Sequence, residues 1–333
     1  MAIVGGRMLT GLLDLTSDVS ALDGGGTWAV VLPFAGPPVC ARFERATAIG
    51  GGRPTGSWPG PSVTGWESSL DRQGYGKGVA AIREAIAAGD VYQVNLCRRL
   101  SAPLPPGFDV ADLGAALFAS HPAPHQAVVR LPAAGVAVAS ASPERFLRRR
   151  GDRVESSPIK GTAVTAAGLT AKDRAENVMI VDLVRNDLGR VCEYGSVEVP
   201  ALWVPESQPG LVHLVSTVRG RLRPGTGWAD LLAATFPPGS VTGAPKLAAL
   251  DVIAALEPVP RGVYCGAVGW VDGDRREADL NVAIRTFWVE DDHLHLGTGA
   301  GITWDSDPDA VWEVSELKAR RLLAVAAGGP VRP

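Results

Sequence analysis

What most constrains this chain is the way its regular segments interleave. Short apolar or alternating runs that read as strands recur along nearly the whole length, at 11–15, 28–32, 91–96, 136–141, 211–218, 266–271, 281–289 and 294–296. Helical segments fall among them at 78–88, stopped by Gly89, at 171–188, stopped by Gly189, and at about 309–327. The order is mixed, without the strict strand–helix alternation of a doubly wound parallel sheet. It predicts an α+β fold in one large domain. Residues 1–74 read as a strand-rich part of that fold, with glycine turns at 24–26 and a loop dense in Gly, Pro, Ser and Thr at 50–66.

Bulk properties exclude several partners. A net charge of −3, with acids and bases dispersed, gives no electrostatic reason to expect nucleic acid or an anionic membrane. No run approaches the ~18 apolar residues of a membrane span, and the N-terminus lacks a basic segment followed by a long apolar run. Cys40, Cys97, Cys192 and Cys265 lie far apart and read as small buried residues, not as disulfides or a zinc site. A cytoplasmic protein is expected.

The chain uses arginine freely but lysine only at 77, 160, 172, 246 and 318. Only lysine of the two can become a free amine when desolvated. Lys160 stands in Pro158-Ile159-Lys160-Gly161-Thr162, where burial would make it a nucleophile or base; the pentapeptide alone fits a surface turn better. Glu144, after Ser142-Pro143 at a strand end, is either a general acid or a surface ion-pair partner. Glu176 lies early in a helix whose polar load is too large for one exposed face, which points to metal ligation or a hydrogen-bonded network. Residues 239–246 and 297–302 read as small-residue loops whose backbone N–H groups suit an anion, or as plain turns. Neither fits a P-loop or dinucleotide fingerprint. Arg285 suits a carboxylate clamp or an exposed salt bridge. Together these groups suggest a small carboxylate substrate.

Read in order, the segments resemble the chorismate-utilising enzymes: anthranilate, aminodeoxychorismate, isochorismate and salicylate synthases. The resemblance rests on Tyr92-Gln93-Val94-Asn95-Leu96, Ser142-Pro143-Glu144-Arg145-Phe146, residues 158–162, residues 173–177 through 182–189, His213-Leu214-Val215-Ser216, residues 239–246, Ile284-Arg285-Thr286 and residues 299–302. It covers roughly 75–325 and implies antiparallel sheets packed together with helices outside, residues 75–327 forming the chorismate-binding catalytic region. Gln93 stands where the isochorismate and salicylate synthases carry a lysine base, which implies an amine-transferring member. Lys160 stands where anthranilate synthases typically have Ala and aminodeoxychorismate synthases have Lys.

The resemblance therefore implies amination of chorismate through a covalent adduct on Lys160, with Glu144 moving protons. Anthranilate synthesis, or a poorly active chorismate-binding paralogue, is the alternative. The implied substrate contacts are Gln93, His213, Thr242, Gly243, Tyr264, Arg285, Lys318 and the backbone at Gly299, Ala300 and Gly301. Mg²⁺ is the implied cofactor, and a separate glutamine amidotransferase the implied ammonia source, since no such domain is visible. The sequence also departs from the pattern. Its N-terminal part is short, leaving the tryptophan pocket of longer members incomplete. Ala300 replaces a glycine and its methyl is expected to crowd the cradle. Val314 stands where the second metal-ligand Glu belongs, so Glu176 would need Glu313 as its partner through a shift of helical register.

Overall fold

The computed structural model describes residues 1–49, 58–208 and 211–328; of the Gly/Pro-rich segment expected at 50–66, residues 50–57 lie outside them. Six α-helices form: α1 Arg72–Ala88, α2 Val110–Ser120, α3 Ala171–Gly189, α4 Trp228–Thr235, α5 Lys246–Leu256 and α6 Pro308–Ala326. Helix α1 starts six residues before the expected boundary, capped by the Asp71 carboxylate on the Gly74 amide. Its interior glycines disfavour helix by propensity, but Gly78 has a packing reason. A Cβ there would stand 2.8 Å from Leu96 Cδ2, so a larger residue would have to displace that buried side chain for the helix to lie on the strand beneath.

The strands form one continuous ladder in which every pairing is antiparallel. In one half, Gln93–Pro103 pairs with His293–Ile302, followed by Thr286–Glu290, Val136–Ser142 and His125–Leu131. Strands Ala2–Val4, Arg7–Thr16, Val39–Ala48 and Thr27–Leu32 carry the ladder around. The other half runs Ala267–Asp272, Glu277–Val282, Arg145–Arg150, Arg153–Ser157, Leu211–Arg221 and Glu198–Gln208. The result is the mixed fold of curled antiparallel sheet and helices expected from sequence.

Three apolar clusters hold it. The largest packs strand residues such as Trp28, Val30, Leu147 and Leu280 with Ile180 of α3 and Trp228 of α4. Helices α2 and α6 seal a second around Leu113, Phe287 and Leu322, and α1 and α5 a third around Tyr75, Val94 and Ile302. At ~1.5–3 kcal/mol per buried large apolar side chain, these clusters and not local propensity decide where the helices lie. Among the described residues no helix is long and apolar enough to cross a membrane.

Candidate active site

The candidate residues collect where strands are interrupted. Pro143 and Glu144 separate strand Val136–Ser142 from Arg145–Arg150, and residues 283–285 separate Glu277–Val282 from Thr286–Glu290. Each segment passes from one half of the ladder to the other, and the two crossings are bonded side by side. The Val282 amide donates to the Glu144 carbonyl (3.0 Å), and the Ala141 amide to the Arg285 carbonyl (3.0 Å). Arg285 takes a left-handed backbone, φ 51°, which costs a non-glycine residue energy and persists where surrounding structure imposes it. Pro158 makes a third interruption, between Arg153–Ser157 and Ile159–Ala163, and places Lys160 two residues on. Gly161 follows at φ 88°, and a Cβ there would stand 2.7 Å from Asp173 Cβ on α3.

Burial sets the electrostatics. Glu144 is 4% exposed, and desolvation pushes its carboxyl up to about 7, against the Ser240 hydroxyl, the Lys160 ammonium and the Ile159 amide. Desolvation also lowers Lys160, opposed by Glu176 and Glu144. Glu176 is raised by desolvation and held back first by Lys160. Lysine 160 thus stands between two carboxyls, with its own charge disfavoured. Lys318 leaves its stem open to solvent and turns its ammonium inward, donating to the Gly299 carbonyl at 2.9 Å. Desolvation and the neighbouring Lys160 bring it down to about 8. Arg285 contacts His121 Nε2 through Nη1 at 3.2 Å. His213, 2% exposed, bonds Thr162 Oγ1 through Nδ1 (2.9 Å), and its Nε2 has no partner among the described residues. Desolvation and Arg285 take His213 down to about 4, so it is a neutral imidazole near pH 7.

Strand Gln93–Pro103 supplies one wall. Gln93 and Asn95 share a face, as the alternation predicts: a Cβ on Gly301 would collide with the Gln93 amide and stand 3.0 Å from Asn95 Oδ1. Gln93 is fully buried, yet among the described residues neither polar atom of its amide has a partner, the mark of a group open to a ligand. The segment 297–302, expected as a loop, is strand, paired residue by residue with 94–99. Alternation therefore points Ala300 away from Gly299 and Gly301, into the cluster of Tyr75 and Val94. Its methyl does not crowd the cradle, which corrects that expectation. Two expected contacts are otherwise engaged. The Thr242 hydroxyl donates to the Pro238 and Gly239 carbonyls (3.2 and 3.3 Å), and Gly243 is the place where the turn presses on the Gln93 carbonyl. Tyr264 lies buried with its ring against Gly297, where any side chain would collide.

The sequence profile of chorismate binding enzymes matches residues 44–324. The chain belongs to this family. It is 42% identical over 296 residues to anthranilate synthase component 1 of Streptomyces coelicolor, covering 85% of this chain and 57% of that protein. It is 40% identical over 275 residues to aminodeoxychorismate synthase component 1 of Klebsiella aerogenes, covering 78% and 59%. The chain thus spans less than two thirds of the length of these curated relatives. The crystal structure of anthranilate synthase component I from Streptococcus pneumoniae superimposes with a TM-score of 0.77 over 90% of this chain and 80% of that one, at 24% identity, a likeness of fold.

For a chorismate-binding enzyme the donor set at Glu176 suits Mg²⁺ poorly. Among the described residues no three His, Cys, Asp or Glu side chains form a group that could hold a metal ion. Glu313, the expected second ligand, is directed to Arg72 on α1 (3.0 Å) beside Asp309, so the register shift it would need does not occur. Val314 is 43% exposed and has nothing to coordinate with. Sequence reasoning also missed side chains that position the site. Ser240 flanks Glu144, and its carbonyl accepts from Asn95 Nδ2 at 2.8 Å. His121 braces Arg285 and Thr162 fixes the His213 ring. Pairing across 51 and 164 positions of sequence has no local signal; Thr162 and Ser240 stood within segments already singled out, and His121 did not.

Proposed function

We propose that this chain is the chorismate-handling component of an aminodeoxychorismate synthase. It takes ammonia from a glutamine amidotransferase partner and forms 4-amino-4-deoxychorismate, the precursor of p-aminobenzoate and folate. The observation that carries this reading is Lys160, a desolvated amine between Glu144 and Glu176. Burial favours the free amine a nucleophile must be, and a covalent intermediate divides a difficult substitution in two.

In the first step the Lys160 amine bonds C2 of chorismate, the ring π electrons shift, and the C4–O bond breaks. Glu144 in its acid form protonates the departing hydroxyl, which leaves as water. Ammonia then bonds C4 and the C2–N bond to Lys160 breaks. The Glu144 carboxylate takes the surplus proton, so that one ammonia replaces one hydroxyl and the enzyme is restored. Arg285 and Lys318 supply positive charge for the substrate carboxylates, His213 offers Nε2 beside the ring, and the unpartnered Gln93 amide and the backbone at 299–301 orient it. No step is routed through Mg²⁺.

Anthranilate synthesis is the second reading, favoured by the Streptomyces coelicolor relative. Incubation of the chain with chorismate and an ammonium salt, followed by an aminodeoxychorismate lyase, separates the two. Appearance of p-aminobenzoate is expected; anthranilate alone would overturn the proposal.

A further inference from the structure

Lys318 on helix α6 turns its ammonium to the Gly299 carbonyl at 2.9 Å, where it also feels the Glu176 charge. One turn earlier on the same helix face stands Val314, since positions four apart stack along a helix. Apart from Glu144, on the far side of Lys160, the acids of α6, of the start of α3 and at 305 are already engaged. Asp309 and Glu313 accept from Arg72 (2.8 and 3.0 Å), and Glu316 accepts from Arg98, a guanidinium buried beneath α6. Asp305 accepts from Lys172 at 3.0 Å and from the Thr303 hydroxyl at 2.7 Å. Asp173 is the acid of the capping box at the start of α3, taking the Thr170 amide and hydroxyl. Glu176 is left as a lone carboxylate, with the ammonium of Lys160 as the first opposing charge it meets.

Mg²⁺ sheds its water reluctantly and is normally held by one or two carboxylates with substrate oxygens; a lone carboxylate facing ammonium groups is a poor start. We infer that this chain does not use a divalent cation at Glu176, and that its site takes a small dicarboxylate through the ammonium and guanidinium groups of Lys318 and Arg285 alone. Glu176 then serves as a positioning counter-charge for Lys160. The inference rests on the proposed amination only for that last role; the metal statement concerns the donor set and stands with any product.

Mn²⁺, which can be followed by electron paramagnetic resonance in place of Mg²⁺, tests it by occupancy and not by turnover. Wild-type protein is expected to leave submillimolar Mn²⁺ free, with and without chorismate, whereas Val314→Glu should bind one equivalent. Position 314 is exposed and glutamate is a good helix former, so the variant keeps its fold. A coupled metal would tighten chorismate binding about 5–150-fold, while a change of less than about twofold between chelator and millimolar Mg²⁺ is expected here. One Mn²⁺ bound by wild type and lost in Glu176→Gln would overturn the inference. Silence from Val314→Glu as well would overturn the assignment of the loss to position 314. A chain that makes anthranilate, or no product, leaves these readings unchanged, so failure of the proposed activity is distinguishable from failure of the metal inference.

Discussion

At one end of the site, Glu144 sits in a strand interruption and Lys160 on the strand that follows another, both placed by backbone bonds across the ladder. At the other, Glu176 looks across to α6, where side-chain direction is fixed only by helical register, ~100° per residue. The first arrangement withstands sequence drift, because an amide at 282 bonds the carbonyl at 144 whatever the neighbouring side chains are. The second depends on one residue type at one angle. Replace that residue by valine, and the adjacent glutamate, turned to Arg72, does not restore it.

The largest expected effect lies at the lysine end. Lys160→Ala should abolish the mass increment of a chorismate adduct in intact-protein mass spectrometry, together with ammonia-dependent product. An undiminished adduct in that variant would place the covalent chemistry elsewhere and erase the contrast between the two ends. Next comes Glu144→Gln, which keeps the shape and removes the proton. A loss of about 10²–10⁴-fold in adduct formation is expected, the range of a positioned general acid. The pH dependence has a definite sign. Glu144 is raised from 4.5 to about 7, so its acid form is lost as pH rises through 7, and the rate falls on that side. The free amine of Lys160 is lost toward acid, giving the other limb.

The same carboxyl predicts a stability effect. A carboxyl raised in the folded state binds its proton there more tightly than in the unfolded chain, so stability falls as pH climbs from 4.5 to about 7. Glu144→Gln should therefore be more stable than its parent above that window, by about 3 kcal/mol, and lose the advantage below it. Equal melting temperatures at alkaline pH would mean that Glu144 is not desolvated in the free protein.

Legibility from sequence followed the same divide. Long patterned segments could be read: α3 and α6, the strand at 93 with Gln93 and Asn95 on one face, and the absence of strand–helix alternation. Helix α4 was not readable at eight residues, nor α2, where Leu113, Gly114 and Leu117 are buried under one sheet and much of the remaining surface is apolar too. Residues 281–289 read as one strand because a crossing does not break alternation; only the fold separates Glu277–Val282 from Thr286–Glu290 at Arg285. Glu144 and Arg285 lie at those breaks, where periodicity carries no information. Ala300 shows the converse, since its effect followed from strand alternation once the strand itself was known.

The smallest predicted effect sharpens the contrast most. Arg72 holds Asp309 and Glu313 at 2.8 and 3.0 Å, and all three side chains are more than half exposed. Exposed pairs of this kind contribute about 0–1 kcal/mol, so Arg72→Ala should lower stability in chemical denaturation by no more than that. Releasing Glu313 should still not create a metal site. Its Cβ points ~100° around the helix from that of Val314, and α6 is pinned by Leu322 and Val325 in the apolar cluster it shares with α2. Rotating the helix far enough would expose those side chains at ~1.5–3 kcal/mol each, more than the lost ion pair held. Arg72→Ala is therefore expected to match wild type in Mn²⁺ titration, while Val314→Glu differs. Mn²⁺ binding by Arg72→Ala would show that the pairing with arginine, and not helical register, is what keeps α6 from serving Glu176.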